Sequence, residues 1–349
     1  MGQTDGPNEC RCERCKADLE LYGPQYSALL IRFMNYVSEK VDEKLKEVGD
    51  KRNIQYATYA YLHTEEPPVK TTEDGKYVAN HESVIPNPNL AVQYAPIYAQ
   101  YNASFKDEVN AATKEKIEKW SAISNIMWSY TYGVNYHDYF VGLNNFGALQ
   151  GMIELLAETG TSCAFVQAKF HKTGHETAQF TPLRQYLISE LCWNPYGDVD
   201  ALVKEFMTAY YGPAADAIYG YYQTYRAHYA YLEKERGVTG NIFYDFSAEH
   251  WEHEYVLKVK ERIDSAFKAI EPLKETDGDA WKSYADHITL ESLHYRYLLL
   301  RYHQNLYEKE SVLQMIDGFE KDCRYFGIEQ YKEVAYITDL ISEWKKELL

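Results

Sequence analysis

No run of about 18 apolar residues occurs in this chain, so no stretch reads as a membrane-spanning helix. Positive charge is scarce as well: 36 Lys and Arg stand against 52 Asp and Glu, a net charge of −16. Phosphate backbones are held by clustered cations, so nucleic acid is excluded as a partner, and an anionic membrane surface with it. Cysteine is sparse, six in 349 residues, too few for a disulfide-dense module. The residues after Met1 are polar and Gly-rich and lack the pattern of a signal peptide; they read as the middle of a domain. What the chain has in surplus is tyrosine, 34 residues against 13 Phe and 6 Trp. A phenol ring suits half-wet surfaces and stacking on sugars, although most of these rings are expected to pack between helices with the hydroxyl reaching water.

Three of the six cysteines crowd into one stretch, Thr4 to Cys15, TDGPNECRCERC. Asp5-Gly6-Pro7-Asn8 cannot continue a strand or a helix, so it reads as a loop at the mouth of an α/β barrel with Asp5 at the rim. Cys10, Cys12 and Cys15 supply three of the four ligands of a structural zinc site. Their tight spacing suits a metal better than a disulfide, the rivals being a disulfide or reduced thiols. Cys163, Cys192 and Cys323 read as buried and inert.

Beyond Gly23-Pro24, apolar residues at Tyr26, Leu30, Phe33, Val37, Val41 and Leu45 predict an amphipathic helix with that stripe inward, ended by Gly49. Four strand-like runs follow: Asn53 to Leu62, Asn89 to Ala99, Asn125 to Tyr132 and Ser162 to Phe170. A polar loop separates the first two, and helices marked by Phe105, Val109, Ile117 and Trp120, then by Ala148 to Glu158, separate the others. A helix from about Pro182 to Cys192 closes this half. Alternating strands and helices imply parallel strands with right-handed crossovers. Four strands cannot close a barrel, so the expectation is strands five to eight of a (β/α)8 TIM-like barrel, with the first half upstream of Met1. From Asp198 onward only helical stripes occur, the clearest being Ile218, Tyr221, Tyr222, Tyr225, Tyr229 and Leu232, with a last helix over 328–349. The expected fold class is α/β: a partial TIM-like barrel with its cysteine loop over 1–197, then an α-helical bundle over 198–349.

Several motifs add a family resemblance. Asp5-Gly6 with Cys10-x-Cys12-x2-Cys15, Ala60-Tyr61 before Pro67-Pro68, Asn89 to Gln93 and Trp128-x-Tyr130 carry it. So does the run from Leu191-Cys192-Trp193-Asn194-Pro195 through Asp198 to Leu202 and on to Tyr210-Tyr211-Gly212-Pro213-Ala214-Ala215. Over residues 4 to 230 the chain resembles domain-of-unknown-function family 4838, itself similar to the barrel of the family 67 α-glucuronidases. The resemblance implies a secreted bacterial protein, periplasmic or extracellular, with a signal peptide upstream. It also implies a glycoside-hydrolase-like activity on a polysaccharide that includes uronic acid. Where the related enzymes place acids on strands six and seven, this chain has Pro96 to Gln100 without an acid, and Ser129.

Glycoside hydrolysis needs two carboxylates about 5–5.5 Å or roughly 6.5–9.5 Å apart. Asp5 with Glu65 or Glu66 is the preferred catalytic pair. Strand alternation and rim position select Tyr59, Tyr61, His63, Trp128, Tyr130, Tyr132, Asp138, Gln167 and Lys169 for substrate binding, with Lys169, His171 or Lys172 suited to a uronate carboxylate. No cofactor is expected for catalysis. The alternatives are a non-catalytic carbohydrate-binding relative that has lost the acids of strands six and seven, and a purely structural segment.

Overall fold

The computed structural model describes residue 6, residues 9–167 and residues 179–348. The chain divides into two compact units, one of Met1–Tyr132 with Gln150–Gln167, the other of Gly133–Leu149 with Ala168–Leu349. Among the described residues no helix is long and apolar enough to cross a membrane.

The first unit opens with helices α1 (Glu13–Tyr22) and α2 (Tyr26–Glu47), then strand β1 (Tyr56–Ala60). A short antiparallel hairpin, β2 (Val69–Thr71) and β3 (Tyr77–Ala79), precedes β4 (Leu90–Tyr94), α3 (Ala111–Ile123) and β5 (Ile126–Tyr132). Helix α4 (Leu149–Glu158) and strand β6 (Thr161–Gln167) complete it. The sheet runs β1-β4-β5-β6, parallel at every pairing, as the alternation of strands and helices predicts. This is a mixed α/β unit built on a parallel sheet.

Three local expectations fail for physical reasons. The stripe on α2 does not face inward: Phe33 is 53% exposed and Val41 is exposed, while Ser27, Ala28, Ile31, Met34, Asn35 and Ser38 are buried. That face packs on loop backbone, which must be met by polar side chains. Asn35 Nδ2 donates to the Ser83 and Ile85 carbonyls, Asn35 Oδ1 accepts from Asn87 N–H at 2.9 Å, and the Ser27 hydroxyl donates to the Glu66 carbonyl. Val109 is exposed because a 3-10 turn over Glu108–Asn110 precedes α3. The β2–β3 hairpin sits inside the polar loop; three-residue strands are too short to show alternation, although Asp74-Gly75 marks their turn, with Gly75 at φ 81°.

The second unit is helical: α5 (Thr181–Trp193), α6 (Val199–Tyr211), α7 (Ala215–Arg236), α8 (His253–Ile270), α9 (Leu273–Thr276), α10 (Gly278–Tyr302) and α11 (Lys309–Tyr325). The last predicted helix is interrupted by a hairpin, β7 (Gln330–Lys332) with β8 (Ala335–Tyr336), turned at Val334 in the left-handed region. Helix α12 (Ile337–Glu347) starts only beyond it. The Tyr-rich stripe of α7 is buried as read, but its hydroxyls do not reach water. Tyr229 donates to the Val141 carbonyl at 2.8 Å, Tyr211 to Glu291 at 2.8 Å and Tyr297 to Asp138 at 2.6 Å. Tyr255 donates to His294 Nε2 at 3.2 Å, and His294 Nδ1–H is thereby left to donate to the Phe140 carbonyl at 2.8 Å. A buried phenol without an acceptor costs about as much as a lost hydrogen bond. Tyr229 of α7 and Tyr211, Tyr255 and Tyr297 of neighbouring helices find one inside, whereas the buried Tyr221 hydroxyl of α7 has none among the described residues.

The segment 133–149, with little regular structure, runs through this network. Arg184, fully buried, holds it by donating to Asn145 Oδ1 and the Leu143 carbonyl, both at 2.8 Å. Burial pushes Glu291 up to about 7 against the downward pull of the Tyr211 hydroxyl, the Phe180 N–H and the Arg184 charge. A carboxyl that holds its proton that far above its ordinary value contributes stability in full below about pH 4 and loses it as the pH rises through 7. Glu291→Gln cannot ionise. Its unfolding free energy relative to wild type is therefore expected to improve by on the order of 2–3 kcal/mol between pH 5 and 8, read from urea midpoints. A difference that stays flat over this range would show that Glu291 is ionised throughout.

Candidate functional site

Strand register decides which side chains share a face. Tyr59, Gln93 and Trp128 stand side by side across β1, β4 and β5. Between Met127 and Trp128 the pairing with β6 shifts by one residue, which sets Cys163 beside Trp128 and Phe165 beside Tyr130. Without this bulge, Phe165 would pair with Thr131 and face the other way. The outcome is a continuous aromatic face. Tyr130 lies 4.5 Å from Phe165 and 6.1 Å from Tyr59 between ring centroids, and its hydroxyl donates to Gln167 Oε1. Tyr59 is 40% exposed and Phe165 46%. The opposite face, Thr58, Ala60, Val92, Tyr94, Met127, Ser129 and Thr131, is buried. Ser129 therefore points away from the rings. Tyr132 continues their row but is buried, edge-on to Tyr101 at 5.8 Å.

Parallel strands end on one side, and at that end of β1 the backbone turns sharply. Leu62 adopts φ 49°, a left-handed conformation costly for a residue with a side chain, and begins a 3-10 turn over Leu62–Thr64. Next to it, the Nδ1 of His63 is buried and has no hydrogen-bond partner, while the ring meets Tyr26 edge-on at 6.1 Å. Tyr61, before the turn, is half-buried. Glu65 pairs with Lys116, and Glu66 with Lys119 at 3.5 Å and Lys116 at 3.8 Å. The indole of Trp120 donates to the Glu65 carbonyl at 2.9 Å. Strand β1's carboxyl end is thus fastened to α3, an attachment that no sequence pattern announces. Phe165 and Gln93 were also missed as site residues; alternation places Phe165 on the face of Gln167, so that signal was present.

Asp138 lies in the helical unit, buried, with Oδ2 accepting from Tyr297 and Oδ1 from the Phe140 N–H at 3.0 Å. Burial pushes it up to about 6, against the Tyr297 hydroxyl and the Arg301 charge. Asp5, Lys169, His171 and Lys172 fall outside the described residues.

Cys10, Cys12 and Cys15 come together at the start of α1, their sulfurs all within 4.8 Å of one another. Such a cluster is compatible with metal binding. Hydrogen bonding from the Cys15 backbone, then from the Cys10 and Cys15 thiols, lowers Cys12 to about 7; the Cys10 and Cys12 thiols raise Cys15 to about 11. The expectation that the other three cysteines are buried holds for Cys323 alone. Cys163 and Cys192 are exposed, one on the last strand of the sheet, the other in the final turn of α5. Burial pushes the Cys323 thiol far up. Thiolates, not thiols, react with alkylating agents. In chelator at pH 7, limiting iodoacetamide is expected to label Cys12 before Cys15 and to leave Cys323 unmodified, as read by peptide mass spectrometry; equal labelling of Cys12 and Cys15 would contradict the split.

A family model described as "Domain of unknown function (DUF4838)" matches residues 1–223. Among curated proteins there is no match. Among solved structures, the chain is similar to one described as a GH138 enzyme targeting pectin rhamnogalacturonan II. The identity is 10% and the TM-score 0.41, over 88% of this chain and 57% of that one. The chain thus spans little more than half the length of that structure.

Proposed function

This chain belongs to the DUF4838 family, and we propose that it is a carbohydrate-active protein whose parallel sheet receives a polysaccharide on its aromatic face. The observation that carries the reading is the row of Tyr59, Trp128, Tyr130 and Phe165, part-exposed and bordered by the amides of Gln93 and Gln167. Pyranose rings stack their C–H faces on aromatic rings, and amides hydrogen-bond sugar hydroxyls, so one surface serves both needs. The unpartnered His63 Nδ1 beside a strained residue supports reading the carboxyl end of β1 as the polar edge of that surface.

In the fuller form of this reading the strands are numbers five to eight of a (β/α)8 barrel. β1 and β6 lie at the open edges of the four-stranded sheet, and a preceding half-barrel of the same protein would cover both. The site would then lie at the carboxyl ends of the strands. Asp5 with Glu65 or Glu66 would supply acid–base hydrolysis, and Lys169 would hold a uronate. The protein would work in the periplasm or outside the cell. A second reading, binding without hydrolysis, is favoured by the absence of an acid over Pro96 to Gln100 and by Ser129 facing the buried side. A further proposal, independent of the sugar, is that Cys10, Cys12 and Cys15 hold a structural zinc ion.

Tyr130→Ala and Trp128→Ala are each expected to weaken retention on polysaccharide by about 10-fold or more in affinity electrophoresis, since a lost stacking ring costs on the order of 1–2 kcal/mol. Unchanged retention in both variants would remove the carbohydrate reading. In the full-length protein Asp5→Asn and Glu65→Gln should each abolish reducing-end release while retaining binding. Wild-type rates of release in both variants would overturn the assignment of this pair, and no release by the unmutated protein would leave binding without hydrolysis.

A further inference from the structure

Helix α1 lacks what normally holds a short helix in place. It is ten residues long, buries none of them, and its N-cap residue, Cys12, offers the helix only a weak sulfur acceptor, toward the Cys15 N–H, where Ser, Thr or Asp would offer an oxygen. Isolated helices shorter than about 12–15 residues are marginal in water, because nucleation costs more than a few backbone bonds return. What α1 does have at its far end is a surface attachment to α2. Arg32 sits 3.8 Å from Asp18 and 3.4 Å over the Tyr22 ring. Among the described residues its first turn shows the Lys16 N–H to Cys12 carbonyl bond and an exposed Lys16–Glu13 pair at 2.9 Å, a contact of small worth. Yet that turn is where three sulfurs converge: Cys10 two residues before the cap, Cys12 at the cap and Cys15 inside the first turn.

On the zinc reading given above, we infer that the metal is the N-terminal cap of α1, bound by Cys10, Cys12 and Cys15 with its fourth position open to an exchangeable ligand. Zinc–sulfur bonds of about 2.3 Å in a tetrahedron set sulfurs about 3.8 Å apart. The thiols, within 4.8 Å of one another, reach that spacing by an inward shift of about 1 Å or less. Closing the ring ties the residue before the helix to the residue one turn inside it, which is the constraint that nucleation lacks. Among the described residues no further His, Cys, Asp or Glu belongs to this cluster, and Cys10 and Cys12 are exposed. Three protein ligands and solvent access describe an open site rather than a closed four-ligand one.

The test uses the intact chain, first assayed for zinc and then reconstituted with cobalt(II) as the probe. One equivalent of zinc is expected, lost in both Cys12→Ser and Cys15→Ser and kept in Cys192→Ser. Removing the metal should speed hydrogen exchange of the α1 amides by about 10-fold or more while leaving α2 unchanged. Added imidazole should shift the cobalt absorption bands, as an open coordination position requires. Zinc below about a tenth of an equivalent, or a two-dalton mass loss from a disulfide among these thiols, would overturn the zinc reading and the cap together. Bound zinc with α1 exchange unchanged on its removal would overturn the cap alone. A cobalt spectrum unmoved by imidazole would overturn the open position and assign the fourth ligand to this chain.

Discussion

Parallel pairing of β1, β4, β5 and β6 is the constraint from which the rest of the first unit follows. Every strand of such a sheet must be reached by a crossover, so all carboxyl ends emerge on one side. His63 beyond β1, Gln167 at the end of β6 and Tyr132 at the end of β5 owe their common side to this rule alone. The same crossovers cover one face of the sheet. That face carries small and apolar residues, while the other carries the rings of Tyr59, Trp128, Tyr130 and Phe165. A sheet buried on both faces would read as near-continuous apolar strands; the glutamines and phenols on one side belong to a surface that meets something polar.

The helical unit solves a different problem. Its core is built of tyrosines, and a phenol brings a hydroxyl wherever it goes. Glu291, Asp138, His294 and the Val141 carbonyl accept from the hydroxyls of Tyr211, Tyr297, Tyr255 and Tyr229 respectively. The consequence is a core with opposed pH responses. Burial pushes Glu291 and Asp138 up and pushes His294 down to about 3. The carboxyls lose their contribution as the pH rises toward 7. His294, whose folded value lies below its unfolded one, contributes above about 6.5 and loses its contribution as the pH falls. Asp138 shows why a carboxylate's place in the chain is weak evidence of its role: it stands six residues beyond the end of β5, yet both its oxygens are engaged within a packed interior.

The four strands of the parallel sheet and the tyrosine stripe of α7 were legible in the chain because each rests on local periodicity, which neighbouring residues alone impose, whereas the two short hairpins, β2–β3 and β7–β8, were not. Face assignments were legible only in part. Alternation grouped Trp128 with Tyr130, but the one-residue shift that brings Phe165 beside Tyr130 arises from pairing with a strand more than thirty residues away. The inward face of α2 was misread because it packs on loop backbone, and such a partner selects Asn and Ser where a sheet would select Leu.

Sequence alone determined that this is a mixed α/β chain with parallel strands, a helical second part and three clustered thiols, since composition, period and spacing are properties of the chain. Tertiary structure alone decided three further things: that Glu65 and Glu66 are tied to Lys116 and Lys119, that Asp138 is buried against Tyr297, and that the thiols meet at the unburied start of α1. Each depends on which side chain ends up near which. That distance is set by packing between segments far apart along the chain, and no local pattern encodes it.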